Sequence, residues 1–295
     1  MMKDFLLIYR QRMTSMQADV VSEWRSPVNT AAHQKGGIHD DATATELGFK
    51  GGTVAGAIHM EQFAPLLLKV FGIQWWQSGT LSLYFQNATT DREPVRCLIT
   101  SPESIGNIDR ADIWMEKKDG TVVASGSASC GGFDKNSALR QRLAKLRPFA
   151  ELRILKGLKV GAIGAERQAT VTNAQLDAQL DVITEPLDCY ETDEAFGARV
   201  LPSTQILRAF DPAELALIDA VRPPYVGLYG GIELQFLDGP AFSETPYKGH
   251  GQIVGLSDSP QTEILWRDMT LSTNKPIIRM LKMDRLMKNS SPLWQ

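Results

Sequence analysis

Apolar residues from Ala57 to Phe71 recur at helical spacing and predict one long helix. Beyond Gly79 the period shortens, and alternation predicts strands over Thr80 to Phe85 and roughly Pro94 to Ser101, with the polar stretch Asn87 to Glu93 as the turn between them. A hairpin follows. Its arms are Ala111 to Glu116 and Thr121 to Ala128, and the intervening Lys117-Lys118-Asp119-Gly120 carries the Asp-Gly pair that adopts positive φ in tight turns. One apolar helix followed by consecutive antiparallel strands predicts an α+β fold, because wrapping the sheet around the helix buries both apolar surfaces at once.

The order then repeats. Gly79-Thr80-Leu81-Ser82-Leu83-Tyr84-Phe85 resembles Gly230-Gly231-Ile232-Glu233-Leu234-Gln235-Phe236 at an offset of 151, and the same offset relates Asp112-Ile113 to Glu263-Ile264. Two units are therefore expected, an N-terminal one over 1–133 and a degenerate C-terminal one over 161–295, joined by a linker over 134–160. Within the linker, Asn136 to Lys156 has helical spacing; Ala165 to Thr172 reads as a strand, and Pro202 to Ala220 as the second unit's helix. A lone unit leaves sheet edges bare, so the two are expected to pack side by side in one continuous sheet, with further dimerisation left open.

Composition narrows the functional classes. At 295 residues and 43% hydrophobic content the chain can bury two cores, while a net charge of −3 argues against nucleic acid as the main partner. The apolar run in Met1 to Arg10 is too short for the core of a signal peptide, and no segment reads as a membrane span. Cys97, Cys130 and Cys189 are odd in number and lack any CxxC or Cys/His ligand pattern, which fits core packing in a reduced, cytoplasmic protein.

Chemistry concentrates before the first helix. His39-Asp40-Asp41 leads into Leu47-Gly48-Phe49-Lys50-Gly51-Gly52 and then Val54-Ala55-Gly56. A histidine supplies proton transfer near neutral pH, although it serves equally to organise its loop. Asp40 and Asp41 suit either a base or the cap of a short helix. Gly52 and Gly56 let backbone N–H groups approach a ligand oxygen, and His59 lies on the helix near the same end. His33 reads as a loop residue, Trp75, Trp76, Trp114 and Phe71 as core and pocket wall, and Tyr225 to Gly231 as a pocket border or the start of a strand. GxGxxG, HExxH, GxSxG and P-loop patterns are absent, so neither a metal nor another cofactor is implied.

The segment His39 to Gly56, continuing through Phe71 to Phe85, resembles the MaoC-like hydratase and dehydratase branch of the hotdog superfamily over most of the first 130 residues. The resemblance implies a double hotdog acting on an acyl thioester or related carbonyl substrate by hydration, dehydration or a proton-transfer rearrangement. It also implies His39 as acid and base, with the helix start at Gly56 as the oxyanion donor. In the family an aspartate stands five residues before the histidine, in Asp-x-Asn-Pro-x-His, whereas this chain reads Gln34-Lys35-Gly36-Gly37-Ile38-His39. Gln34 cannot exchange a proton, so it becomes a positioning group and Asp40 a candidate relay. Two rivals stand beside this reading: a non-catalytic acyl-binding or assembly subunit, and a hotdog thioesterase, for which Glu61 is the only acid on the first helix.

Overall fold

The computed structural model describes residues 18–149, 151–223 and 225–287. Met1 to Arg10, considered above as a leader, fall outside them. The chain runs through β1 (Val20–Val21), α1 (Asp41–Glu46), α2 (Gly56–Glu61), α3 (Ala64–Phe71) and α4 (Trp75–Ser78). Five strands follow: β2 (Thr80–Phe85), β3 (Val95–Ile99), β4 (Glu103–Ile105), β5 (Ile108–Lys117) and β6 (Val122–Cys130). Next come α5 (Ala138–Leu143), β7 (Arg167–Ala169), α6 (Asn173–Leu180), α7 (Asp188–Glu191) and α8 (Ser203–Leu217). The chain closes with β8 (Val226–Phe236), β9 (Tyr247–Asp258), β10 (Thr262–Ser272) and β11 (Pro276–Met287).

All eleven strands form one antiparallel sheet in the order β1-β3-β5-β6-β2-β8-β11-β10-β9-β7, with β4 paired to β5. The order mirrors itself about the seam between β2 and β8. There Leu81 faces Leu234, Leu83 faces Ile232, and Ser82 faces Glu233. Shifting by 151 converts 81, 82 and 83 into 232, 233 and 234, so the pairing is self-complementary and the Ser82–Glu233 pair lies on a pseudo-two-fold axis. The internal repeat is thus the contact surface between the two units, and the expected continuous sheet is what forms.

The central helices lie on one face of this sheet. Met60, Leu67 and Phe71 from α2 and α3, and Ile206 and Phe210 from α8, share one core with Leu81, Leu83, Ile232 and Leu234. β6 helps the helices approach, because Ala124, Gly126 and Ala128 alternate along one side of it. A side chain at Gly126 would place its Cβ 1.8 Å from the Ser82 carbonyl oxygen. The opposite face carries α5, whose N-terminal amides are capped by the sheet: Ser127 Oγ accepts from Ala138 N and Ser82 Oγ from Leu139 N, each at 3.0 Å. Beside them the buried Glu233 accepts the Ser137 hydroxyl and pairs with Arg140 Nε at 2.9 Å. Burial still raises the Glu233 carboxyl above its usual range, with Arg140 opposing that shift.

Several expected elements change shape. The helix from Ala57 to Phe71 is two helices, because Pro65 in the first turn of α3 has no N–H to continue the ladder and its ring crowds the Glu61 carbonyl. In the linker only Ala138–Leu143 is helical, and Pro148 restrains the residue before it from helical geometry. The strand expected over Ala165 to Thr172 shrinks to Arg167–Ala169, and Thr172 instead begins α6 through a reciprocal capping box with Gln175. The hairpin keeps its form, with Gly120 at φ 80° and Lys117 N bonded to Thr121 O at 3.0 Å.

Replacing Arg140 by Met should leave Glu233 buried and without its cation at the seam. The expected loss is about 3–5 kcal/mol, measured as a lower denaturant midpoint.

Candidate functional site

The loop from Asn29 to Ala55 is organised by short-range side-chain bonds rather than by a core of its own. Asp40 is the N-cap of α1: its Oδ2 accepts Thr43 N at 3.3 Å and Thr43 Oγ1 at 2.8 Å, while its Oδ1 accepts Lys35 Nζ at 2.7 Å. These bonds, that from Lys35 first, hold its carboxyl below the usual aspartate range. Asp41 reaches across the loop instead, where its Oδ1 accepts the Gly52 amide at 2.7 Å. The Gly52 N–H is therefore occupied within the loop.

Gly52 has a steric duty as well. A Cβ built there would lie 2.3 Å from the His39 carbonyl oxygen, which itself accepts Asn29 Nδ2 at 2.8 Å. The close approach lets Thr53 N bond to Ile38 O at 2.8 Å and brings the Thr53 carbonyl onto the His39 ring. His39 Nδ1 lies 2.7 Å from that oxygen. Since a carbonyl only accepts, Nδ1 carries the proton, and Nε2 keeps its lone pair in the neutral ring. Among the described residues no bond to Nε2 is present, and the side chain is half-buried.

Gly56 opens α2 three residues beyond Thr53, so chain length keeps its amide within roughly 10 Å of the Thr53 carbonyl. The Phe85 ring covers its Cα closely; a Cβ there would meet Phe85 Cζ at 2.7 Å. One turn on, His59 is 3% exposed and its Nε2 lies 2.8 Å from Thr89 Oγ1. Burial, helped by Lys117, lowers the His59 pKa to about 4, so the ring is neutral at pH 7. Thr89 and Thr90 in turn pair with Val54 and Thr53. His39 and His59 thus share one bonded neighbourhood, and Gly56 lies beside it along the chain. Gln34 does not join it, since it lies exposed on the turn closed by its own N–H to Ala31 O at 2.9 Å. His33 is exposed beside it.

Sequence reasoning passed over two residues. Asn29 ties the loop by its side chain to His39 O and by its amide to Asp91 Oδ1 at 2.7 Å, and one asparagine in a polar stretch gives no pattern to detect. Glu185 is 3% exposed, and its pKa rises to about 7, chiefly through burial. Its only sequence signal is a carboxylate set between Ile183 and Leu187. Two surface clefts, of about 560 and 330 Å³, belong to the second half and touch neither His39 nor Gly56. Cys97, Cys130 and Cys189 are buried free thiols, and no described helix is long and apolar enough to cross a membrane.

No family profile and no curated protein matches the sequence. Solved structures do match in shape. A MaoC-domain protein from Chloroflexus aurantiacus J-10-fl superposes at a TM-score of 0.60 and 10% identity, covering 93% of this chain and 96% of that one. A Mycobacterium tuberculosis protein described as having a double hotdog fold does so at 0.56 and 10%, covering 93% and 98%. The chain is a double hotdog. A MaoC-like dehydratase shares the fold at 0.55 and 12% identity, covering 90% and 96%. At such identities the double-hotdog architecture is what is held in common.

Gly52→Ala should force the loop off the His39 carbonyl. We expect about 1–3 kcal/mol of destabilisation and shifted amide resonances for Ile38, His39 and Thr53 in a backbone NMR spectrum.

Proposed function

We propose that this double hotdog is a MaoC-like lyase acting on an acyl thioester or a related carbonyl compound, with His39 as its acid and base. The observation that carries the reading is the Nδ1–H bond to the Thr53 carbonyl, which fixes the tautomer and leaves Nε2 as a base. In the dehydration direction Nε2 takes the proton from the carbon next to the carbonyl, and the C–H electrons move into an enolate whose oxygen faces the Gly56 amide. The enolate then collapses to the double bond and expels the β-hydroxyl, which leaves as water with the proton carried by His39. One group serves both steps. The proton and hydroxyl therefore depart from the same face of the substrate.

The other candidates take supporting parts. Asp40 holds the loop through Lys35 and Thr43 and is assigned to orientation rather than relay. Gly52 sets the approach of the Thr53 carbonyl, and His59 braces α2 against Thr89. Gln34 acts on substrate only where the turn bearing it folds inward. The three free thiols support a reducing, cytoplasmic setting.

A thioesterase using Glu61 is less well supported. Burial first, then repulsion from Glu185, raises its pKa to about 8, so it is protonated at neutral pH and cannot draw a proton from water. His39→Gln keeps the ring's volume approximately but not its basicity. With a panel of 3-hydroxyacyl and enoyl thioesters, the variant should lose about 10²–10⁴-fold in kcat, followed by the absorbance of the conjugated enoyl thioester. Unchanged turnover would return His39 to loop organisation, whereas an inactive wild type that binds the thioester would support the non-catalytic acyl-binding reading.

A further inference from the structure

Away from His39, two buried acids from opposite halves point into one region. Glu61 ends α2 and is 1% exposed; its Oε1 accepts the Thr204 amide at 3.0 Å and the Thr204 hydroxyl, and its Oε2 accepts Gln179 Nε2 at 3.0 Å. A single carboxyl group thus joins the first central helix to α6 and to the start of α8. Glu185, between α6 and α7, accepts Thr184 Oγ1 at 2.6 Å. The cation bearing on this acid is Arg25, which donates to the Gln62 carbonyl at 3.1 Å.

The segment from Asn173 to Leu201 behaves as a cap over these groups. Leu176, Tyr190 and Val200 sink into the main core, and the Tyr190 ring lies 6.1 Å from Trp76. Its charge is one-sided: Asp177, Asp181, Glu185, Asp188, Glu191, Asp193 and Glu194 stand against Arg199 alone. Neither Glu61 nor Glu185 has a bonded cation among the described residues, so ionising both would put two charges into the core beneath an already acidic cap.

We propose that Glu61 and Glu185 form a proton-dependent latch that holds the cap and α8 onto α2 when protonated and loosens the cap when ionised. In the closed form the protonated Glu61 gives its proton to Thr204 Oγ1, reversing the bond that its carboxylate accepts from that hydroxyl, and still accepts from the Thr204 amide and Gln179. Burial, then repulsion from Glu185, raises Glu61 to about 8 against the bonds from Thr204 and Gln179, and burial raises Glu185 to about 7 against the Thr184 bond and Arg25. Facing groups agree, since Tyr190 and Cys97 are also pushed upward by burial and remain neutral. For acids whose folded pKa exceeds the ordinary 4.5, stabilisation is complete below that value and is lost as pH rises through 7 and 8. The short helix that ends at Glu61 begins at Gly56, so loosening reaches the proposed site, although the latch does not depend on what His39 does.

The test is amide hydrogen exchange on the full chain, corrected for intrinsic rates, at about pH 6 and about pH 9. Protection over residues 173–201 should fall about tenfold or more at the higher pH in wild type, and stay level in Glu61→Gln/Glu185→Gln. Equal wild-type protection at both values overturns the latch, as does an equal fall in the double variant. Should that variant fail to fold, carbon-13 titration of wild-type glutamate carboxyls decides alone. Two midpoints above about pH 6 support the latch, and fewer than two overturn it.

Discussion

The pairing of β2 with β8 is the contact on which the rest of the molecule depends. Each unit alone would leave the strand next to its central helix with unpaired N–H and C=O groups, and the seam satisfies both rows at once. It also sets where everything else sits. With the sheet continuous, both central helices fall on the same face and meet across the axis, through the bonds that Thr204 donates to Glu61. The opposite face is left for α5, anchored to Ser82, Ser127 and Glu233 beside that axis. A single linker helix cannot obey two-fold symmetry, so the strand order is symmetric and its surroundings are not.

That asymmetry divides labour. The first unit carries the His39 loop before its helix, held by Asn29, Asp40, Asp41 and Gly52. The corresponding stretch of the second unit has become the cap of α6 and α7, which contributes buried surface and two of the groups around Glu61. A loop fastened by side chain to backbone bonds has few apolar contacts to lose, whereas the cap is fastened mainly by Leu176, Tyr190 and their neighbours. The two regions therefore respond to different variables, one to the loop's hydrogen bonds and the other to proton activity.

The sequence is most legible where a local rule governs. Alternation located β2, the Asp-Gly pair located the β5–β6 turn, and the apolar stripe of Ser203–Leu217 located α8 within a few residues. The internal repeat carried tertiary information, because self-complementary strands that resemble each other at a fixed offset are those that meet at a dyad. Asp40 as a helix cap was also readable, since the cap acts on Thr43, three residues away. Legibility failed where a distant partner decides. Nothing local tells that Glu61 bonds to residues 179 and 204, or that Asn29 supports residue 39. The helix break at Gln62 and Phe63 was signalled by Pro65, but the apolar run around it hid the signal.

The seam bears on how the chain comes into being. Ser82 meets Glu233, and at ribosomal speeds of about 5–20 residues per second the second strand emerges roughly eight to thirty seconds after the first. During that interval a folded first unit offers the bare edge of β2 to whatever strand is nearby. The composition of the waiting edge suits such a delay: Thr80 and Ser82 lie on its outer face, beside Ser125, Ser127 and Ser129 of β6. Hydroxyls there are compatible with water before the linker docks, and those of Ser82 and Ser127 become acceptors for α5 afterwards. The serines that anchor the finished molecule therefore also keep the outer face of its half-built form wettable, while the backbone edge of β2 waits for β8.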